Sequence, residues 1–135
     1  MTASAHHLVG LPDILLSRAD FEALDRLVGD LPGRGPAALL QQELDRAQVC
    51  EAGDLPANIV SLNRWLHYVD GRSEEARRVQ LVLPEDADID QGKVSVLSWV
   101  GAGLIGLAEG VSLDWPDASG DLRRLTPILV EAAAA

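Results

Sequence analysis

The chain has 135 residues, of which 47% are apolar, so it is long enough to bury the core of one domain with a small appendage. Its net charge of −10 disfavours direct binding to nucleic acid, because an acidic surface repels phosphate backbones. Cys50 is the only cysteine, and no apolar run approaches the roughly 18 residues that span a bilayer. We therefore expect a cytoplasmic protein without a disulfide or a membrane partner.

Residues 1–16 show no helical or strand pattern and are expected to form a loosely held leader. His6 and His7 are adjacent, and adjacent side chains diverge on any regular element. Because His67 is distant and no cysteine pair exists, these residues do not predict a metal site. We expect no cofactor.

Residues 17–50 carry two helical stripes. Ser17 is a good N-cap, and Asp20 three residues later suggests a capping box. The segment 29–35 reads as a turn, with Asp30 and Arg34 at its tip, and Pro36 suits the first position of a second helix. The pattern predicts a short antiparallel hairpin with arms of roughly 20 Å that ends at Cys50, taken as a buried thiol. Its apolar residues at 3-4-3 spacing are Phe21, Leu24, Val28 and Leu31, then Ala37, Leu40, Leu44 and Ala47.

From residue 58 the pattern changes to strands, which are predicted over 58–63, 64–69, 76–83, 111–115 and 122–130. Residues 84–92 form an acidic loop whose spacing does not match a calcium-binding EF-hand, so we expect a solvated loop. Pro127 cannot donate to a ladder, so the last strand should be an edge strand or carry a bulge. The fold class is α+β: a helical hairpin followed by a mostly antiparallel sheet with one short helix.

Gly101-Ala-Gly103-Leu-Ile-Gly106 matches the G-x-G-x-x-G pattern of dinucleotide-binding sites. That site needs a helix long enough to cross to a second parallel strand. Gly110 follows four residues after Gly106 and leaves room for about two helical turns. We interpret the segment as a short helical turn on a sheet, where glycine permits close backbone approach; a phosphate-binding role has no further support.

Three runs together resemble the C-terminal domain of the GreA/GreB transcript-cleavage factors: 88–98, 103–106 and 109–110. Within that superfamily, 43–50 and 100–107 look most like the Rnk proteins, which are named as regulators of nucleoside diphosphate kinase. The resemblance implies an FKBP-like sheet domain over 55–131 that carries a coiled-coil arm over 17–50.

The resemblance also implies a partner, RNA polymerase, contacted near the mouth of its secondary channel. The matching contact positions are Ser98, Trp99, Val100 and Gly101. Trp99 stands where the family usually has proline, and both an interface anchor and a core residue fit that position.

The cleavage factors place acidic residues from the tip of a long arm at the polymerase's metal site. Here the tip offers only Asp30, beside the positive charge of Arg34, and the arm is short. We therefore predict a non-catalytic regulator that does not stimulate cleavage. We also expect the protein to be a monomer and to act on DNA only through the polymerase.

Two other functions stay open at this point. The protein could be an interaction module for another protein, such as nucleoside diphosphate kinase. FKBP-like folds also include prolyl isomerases, which need a concave pocket with aromatic walls. The sheet domain offers few aromatic residues for such a pocket: Trp65, Tyr68, Trp99 and Trp115.

Overall fold

The computed structural model describes residues 11–31, 33–71 and 73–132. In chain order its helices and strands are β1 Leu15–Ser17, α1 Arg18–Gly29, α2 Pro36–Arg46, β2 Gln48–Cys50, β3 Trp65–Asp70, β4 Arg77–Val82, β5 Lys93–Ser95, α3 Trp99–Leu104, β6 Leu113–Pro116 and β7 Leu122–Val130. Among the described residues, no helix is long and apolar enough to cross a membrane.

Five strands form the main sheet in the order β5-β4-β3-β7-β6. All neighbouring pairs are antiparallel except β4 and β5, which run parallel. Along β3 every second side chain is buried, namely Leu66, Tyr68 and Asp70, so one face of the sheet packs inward. The predicted α+β class, with a mostly antiparallel sheet and one short helix, is confirmed.

The last strand, β7, lies between β3 and β6 and is not an edge strand. Its pairing with β3 shifts register: His67 faces Leu129, whereas the next residue, Tyr68, faces Pro127. Ile128 is therefore the extra residue of a bulge, and its side chain is exposed. Of the two alternatives predicted for this strand, an edge position or a bulge, the structure has the bulge, which accommodates the missing N–H of Pro127.

The hairpin helices share one continuous core with the sheet. Ser17 caps α1, since its Oγ accepts a hydrogen bond from the Asp20 N–H at 3.1 Å. Helix α2 lies against both α1 and α3 and therefore buries a broader face than the predicted stripe. In the first helix, the predicted stripe residue Leu31 lies beyond the end of α1 and is exposed. The hairpin side chains that belong to the same buried cluster as Leu104 and Trp115 are Leu24, Val28, Leu39, Leu40 and Leu44.

The prediction of a loose leader is wrong for its last residues. Ile14 and Leu16 are 2% and 1% exposed, and β1 pairs in parallel with β2. Cys50 accordingly lies in a strand and not at a helix end. Strands of three residues are too short to show a period, and their partner lies over 30 residues away, so local patterns could not reveal them. His6 and His7 lie outside the described residues.

The strand predicted over 58–63 is absent. Ile59 forms one isolated bridge with Ala108, and the Val60 N–H donates to the Leu107 carbonyl at 2.8 Å. Asn63 has a φ of 67°, a left-handed conformation that interrupts an extended chain. Turns lie at both ends of the segment, since the Ile59 N–H donates to the Pro56 carbonyl and the Arg64 N–H donates to the Ser61 carbonyl, so no ladder forms.

Two carboxylates tie the hairpin to its surroundings. Asp20 Oδ2 accepts a hydrogen bond from the Leu62 N–H at 3.1 Å, so it does not close the suggested capping box. Glu43 is buried and lies 2.6 Å from Arg46 Nη2, and Arg46 also donates to the Pro12 carbonyl. Burial raises the pKa of both carboxyl groups, and Arg46 opposes that shift at Glu43. The Asp20 contact fixes α1 against the segment before β3, and the Arg46 contact fixes the segment before β1 against α2.

A charged cluster closes the end of β7 on the outer face of the sheet. Glu131 accepts two hydrogen bonds from Arg78, at 2.6 and 3.0 Å, and lies 2.8 Å from His67 Nε2. The Arg78 guanidinium lies 4.1 Å from the centre of the Trp65 ring. Arg78, and secondarily His67, lower the pKa of Glu131 to about 2.

We expect Glu131→Gln to lower the free energy of unfolding at neutral pH and to make that free energy less dependent on pH in the acid range. A carboxyl group with a depressed folded-state pKa binds a proton more readily in the unfolded chain. Its contribution is therefore complete above about pH 4.5 and is lost as the pH falls towards 2. Urea midpoints of both proteins should differ most at pH 6 and converge at acid pH. A difference independent of pH would contradict this expectation, and the exposed Glu75→Gln is the control.

Candidate partner-binding surface

The loop between β5 and α3 is fixed by its own hydrogen bonds. Ser98 caps α3: its Oγ accepts from the Gly101 N–H at 3.0 Å and donates to the Ser95 carbonyl at 2.7 Å. Ser95 Oγ in turn accepts from the Leu97 N–H at 3.0 Å. Two serines thus fix the loop, and the side chain of Ser98, one of the predicted contact residues, caps α3. We call residues 95–101 the docking loop.

At each of the three glycines, other parts of the protein lie where a side chain would be. A Cβ on Gly101 would overlap the Ser95 carbonyl, and one on Gly103 would lie 2.7 Å from the Trp115 ring. Gly106 has a φ of +83°, and a Cβ there would lie 2.9 Å from Ile14 Cβ. Helix α3 has six residues and leads to β6, which pairs antiparallel with β7. The interpretation as a close-packed helical turn is confirmed for these residues.

Trp99 is the first residue of α3, and its packing agrees with the core role considered for it. Its side chain is partly buried and packs against the core cluster. Its carbonyl accepts a hydrogen bond from Trp115 Nε1 at 2.8 Å. The same residue also lines two cavities that open to solvent. The indole is therefore seated on the core while part of it remains available for contact.

The first cavity has a volume of about 470 Å³ and lies between the docking loop and the turn after β6. Its buried lining consists of the aromatic and apolar residues Tyr68, Trp115 and Leu125 and the charged residue Asp70. Arg123 lies 2.9 Å from the buried Asp70 and 3.4 Å from Asp117, so one guanidinium group forms ion pairs with two carboxylates. This cavity combines aromatic surfaces with charges that are already paired.

At the same cavity, burial raises the pKa of Tyr68, while the charge of Arg77 and a hydrogen bond with it oppose the shift. The phenol is therefore uncharged at neutral pH.

The second cavity, of about 540 Å³, lies on the other side of Trp99, between α2 and the β6–β7 turn. A smaller one of about 230 Å³ joins the tip of the hairpin to the docking loop, since Leu31, Arg34 and Leu97 line it. The structure thus brings Arg34 close to the loop. Asp30 is exposed and follows the last residue of α1, where its N–H donates to the Val28 carbonyl.

The predicted contact residues differ in what they offer a partner. Trp99 and Val100 are partly exposed, Ser98 is engaged in capping, and Gly101 is buried. The sequence singled out Tyr68 and Trp115 only as aromatic residues and missed Asp70 and Arg123. These residues come from β3, β6 and β7, and only strand pairing brings them to one cavity.

Comparison with known proteins gives a consistent result for both parts of the chain. Residues 55–128 match the family model "Transcription elongation factor, GreA/GreB, C-term", and residues 12–49 match "Rnk N-terminus". The chain is 33% identical over 106 residues to the regulator of nucleoside diphosphate kinase of Escherichia coli K12, covering 77% of this chain and 78% of that protein.

Two further relatives are elongation factors by name. The chain is 37% identical to GreA of Thermodesulfovibrio yellowstonii over 71 residues, which are 53% of this chain and 45% of that protein. A solved GreA/GreB elongation factor from Nitrosomonas europaea superimposes with a TM-score of 0.69 at 34% identity, covering 88% of this chain and 98% of that one. The fold and the sequence therefore point to the same group of proteins.

Proposed function

This chain belongs to the GreA/GreB transcription elongation factor family and has an N-terminal segment of the Rnk type. From this premise we propose that it binds RNA polymerase through its docking loop and does not stimulate transcript cleavage. The proposed site is near the polymerase's secondary channel. The protein would act as a monomeric, cytoplasmic regulator with no direct contact to DNA. The coiled-coil arm and the FKBP-like sheet are part of this proposal.

The observation that carries the proposal is the position of Trp99. A large aromatic side chain lies on a hydrogen-bonded loop, seated on the core and flanked by cavities on both sides. Binding energy in interfaces concentrates in such aromatic anchors, because they bury much apolar area and lose little conformational entropy. The net charge of −10 further suits a basic protein surface as the partner.

The absence of cleavage stimulation is proposed from the tip of the hairpin. Recruiting Mg²⁺ requires several carboxylate oxygens at one point. Within the described part of the 29–35 turn, the single acidic side chain is Asp30, and Arg34 adds a positive charge. Helices α1 and α2 have 12 and 11 residues, so each is roughly 17 Å long. A hairpin of this length that is packed on α3 is poorly suited to deliver a carboxylate to a distant catalytic centre.

One experiment tests both parts of the proposal. A backtracked elongation complex immobilised through its polymerase should retain the protein, and its transcript should remain at full length. Release of a short 3′ fragment would overturn the non-catalytic role. Failure to retain the protein, under conditions where a cleavage factor is retained, would overturn the polymerase as partner.

Two alternatives remain as proposals with less support. The name of the Escherichia coli relative suggests nucleoside diphosphate kinase as a partner, and capture of that enzyme from extract depleted of polymerase would favour it. The cavity lined by Tyr68, Trp99 and Trp115 favours the second alternative, a prolyl isomerase. Isomerisation of a model proline peptide at the background rate would remove it. Trp65 lies apart from that cavity, beside Arg78.

A further inference from the structure

Trp115 contacts the docking loop and is itself fixed by strand β7 and helix α3. It is 2% exposed, and its backbone pairs with Arg123 within the antiparallel ladder of β6 and β7. Its ring lies so close to Gly103 that a Cβ on that glycine would be 2.7 to 2.8 Å from three ring atoms. The ring position is therefore determined by the sheet on one side and by α3 on the other.

The only polar atom of this ring is directed at the docking loop. Trp115 Nε1 donates to the Trp99 carbonyl at 2.8 Å, a good hydrogen-bond length. A buried indole N–H needs an acceptor, and here the acceptor is the main chain of the residue that lies between the two larger cavities. The bond fixes the peptide from which the Trp99 side chain projects.

We propose that Trp115 is the positioning residue of the partner-binding surface: its hydrogen bond to the Trp99 carbonyl holds the Trp99 indole in the orientation that the partner binds. This inference rests on the proposed function, because it assumes that Trp99 contacts the partner. Trp115 itself forms the buried lining of the first cavity and acts through Trp99. An anchor held in its bound orientation loses less freedom on association, which raises affinity.

Trp115→Phe tests the inference, because it removes the N–H donor and keeps an aromatic ring beside Gly103. We expect the Kd for RNA polymerase to rise about fivefold to tenfold, which lies within the range that the ordering of one large side chain implies. Trp65→Phe is the matched control, because Trp65 lies on the other face of the sheet against Arg78 and should leave the Kd unchanged. Circular dichroism and thermal unfolding show whether each variant is folded.

A double-mutant cycle separates positioning from a general loss of structure. In a Trp99→Ala background the same Trp115→Phe change should alter the Kd by less than about twofold, since no anchor remains to be oriented. An equal effect in both backgrounds, or a wild-type Kd for the folded Trp115→Phe protein, would overturn the inference. If Trp99→Ala alone leaves binding intact, the proposed contact fails instead, and the two failures are thus distinguishable.

Should Trp115→Phe not fold, a benzothienyl analogue of tryptophan at position 115 provides the second test. Sulfur replaces the indole N–H in that analogue while the ring system keeps its size. The expected rise in Kd is the same, and an unchanged Kd would overturn the inference.

Discussion

Replacing Gly106 by alanine should destabilise the protein by about 2–5 kcal/mol, although the substitution adds only one methyl group. The left-handed conformation, with a φ of +83°, costs about 1–2 kcal/mol for a residue with a Cβ. The new methyl group would also lie 2.9 Å from Ile14 Cβ. At this point β1 docks on the sheet domain, since the Leu15 N–H donates to the Gly106 carbonyl. Urea unfolding followed by circular dichroism measures the loss.

Gly110→Ala is the matched control for this prediction. Gly110 has almost the same backbone conformation, with a φ of +80°, but a Cβ there meets no atom within 4 Å. Its loss should be about 1–2 kcal/mol and should represent the backbone cost alone. The difference between the two variants is then the cost of displacing β1. Equal losses would show that β1 does not press on Gly106.

Replacing Trp99 by alanine is expected to weaken binding to RNA polymerase by about 30-fold or more. Truncation of a central aromatic anchor in an interface costs about 2 kcal/mol or more, which corresponds to that change in Kd. The fold should persist, because the hydrogen bond from Trp115 is made to the main-chain carbonyl of residue 99, which alanine retains. Titration of immobilised polymerase with each protein gives the two dissociation constants.

Trp65→Ala serves as the control for the Trp99 experiment. Trp65 is also partly buried, but it packs against Arg78 and not against the docking loop. It should lose stability without losing affinity. Unchanged affinity of a folded Trp99→Ala protein would place the interface elsewhere on the molecule. A parallel loss in both variants would indicate that general destabilisation causes the effect.

Elements with a long, clear period were predictable from the sequence. Helices α1 and α2 and strands β3, β4 and β7 were predicted to within a few residues. The two helices and β4 repeat an apolar spacing, β3 is a short apolar-rich run, and β7 follows a clear turn. The N-cap at Ser17 and the bulge at Pro127 were also predicted, since each follows from the local chemistry of one residue. The resemblance to the GreA/GreB family, carried by runs of eleven residues or fewer, is confirmed by the family match.

Contacts between distant segments were not predictable. Strand β1 is three residues long and gains its stability from β2 and Gly106, so no local pattern revealed that residues 14–16 belong to the core. The same holds for Asp70 and Arg123, which read as a turn residue and a strand residue but form an ion pair at one cavity. Burial and pairing are properties of the assembled chain and not of any window of the sequence.

The sequence by itself determined the α+β class and the family. The short spacing between Gly106 and Gly110 also argued against a nucleotide site. Only the tertiary structure decided what occupies the space beside those glycines, namely Ile14, Trp115 and the Ser95 carbonyl. It also decided that Trp99 is both seated on the core and partly open to solvent. The physical reason is that periodicity reports one buried face per element, whereas the neighbour on that face is chosen by packing across the whole chain.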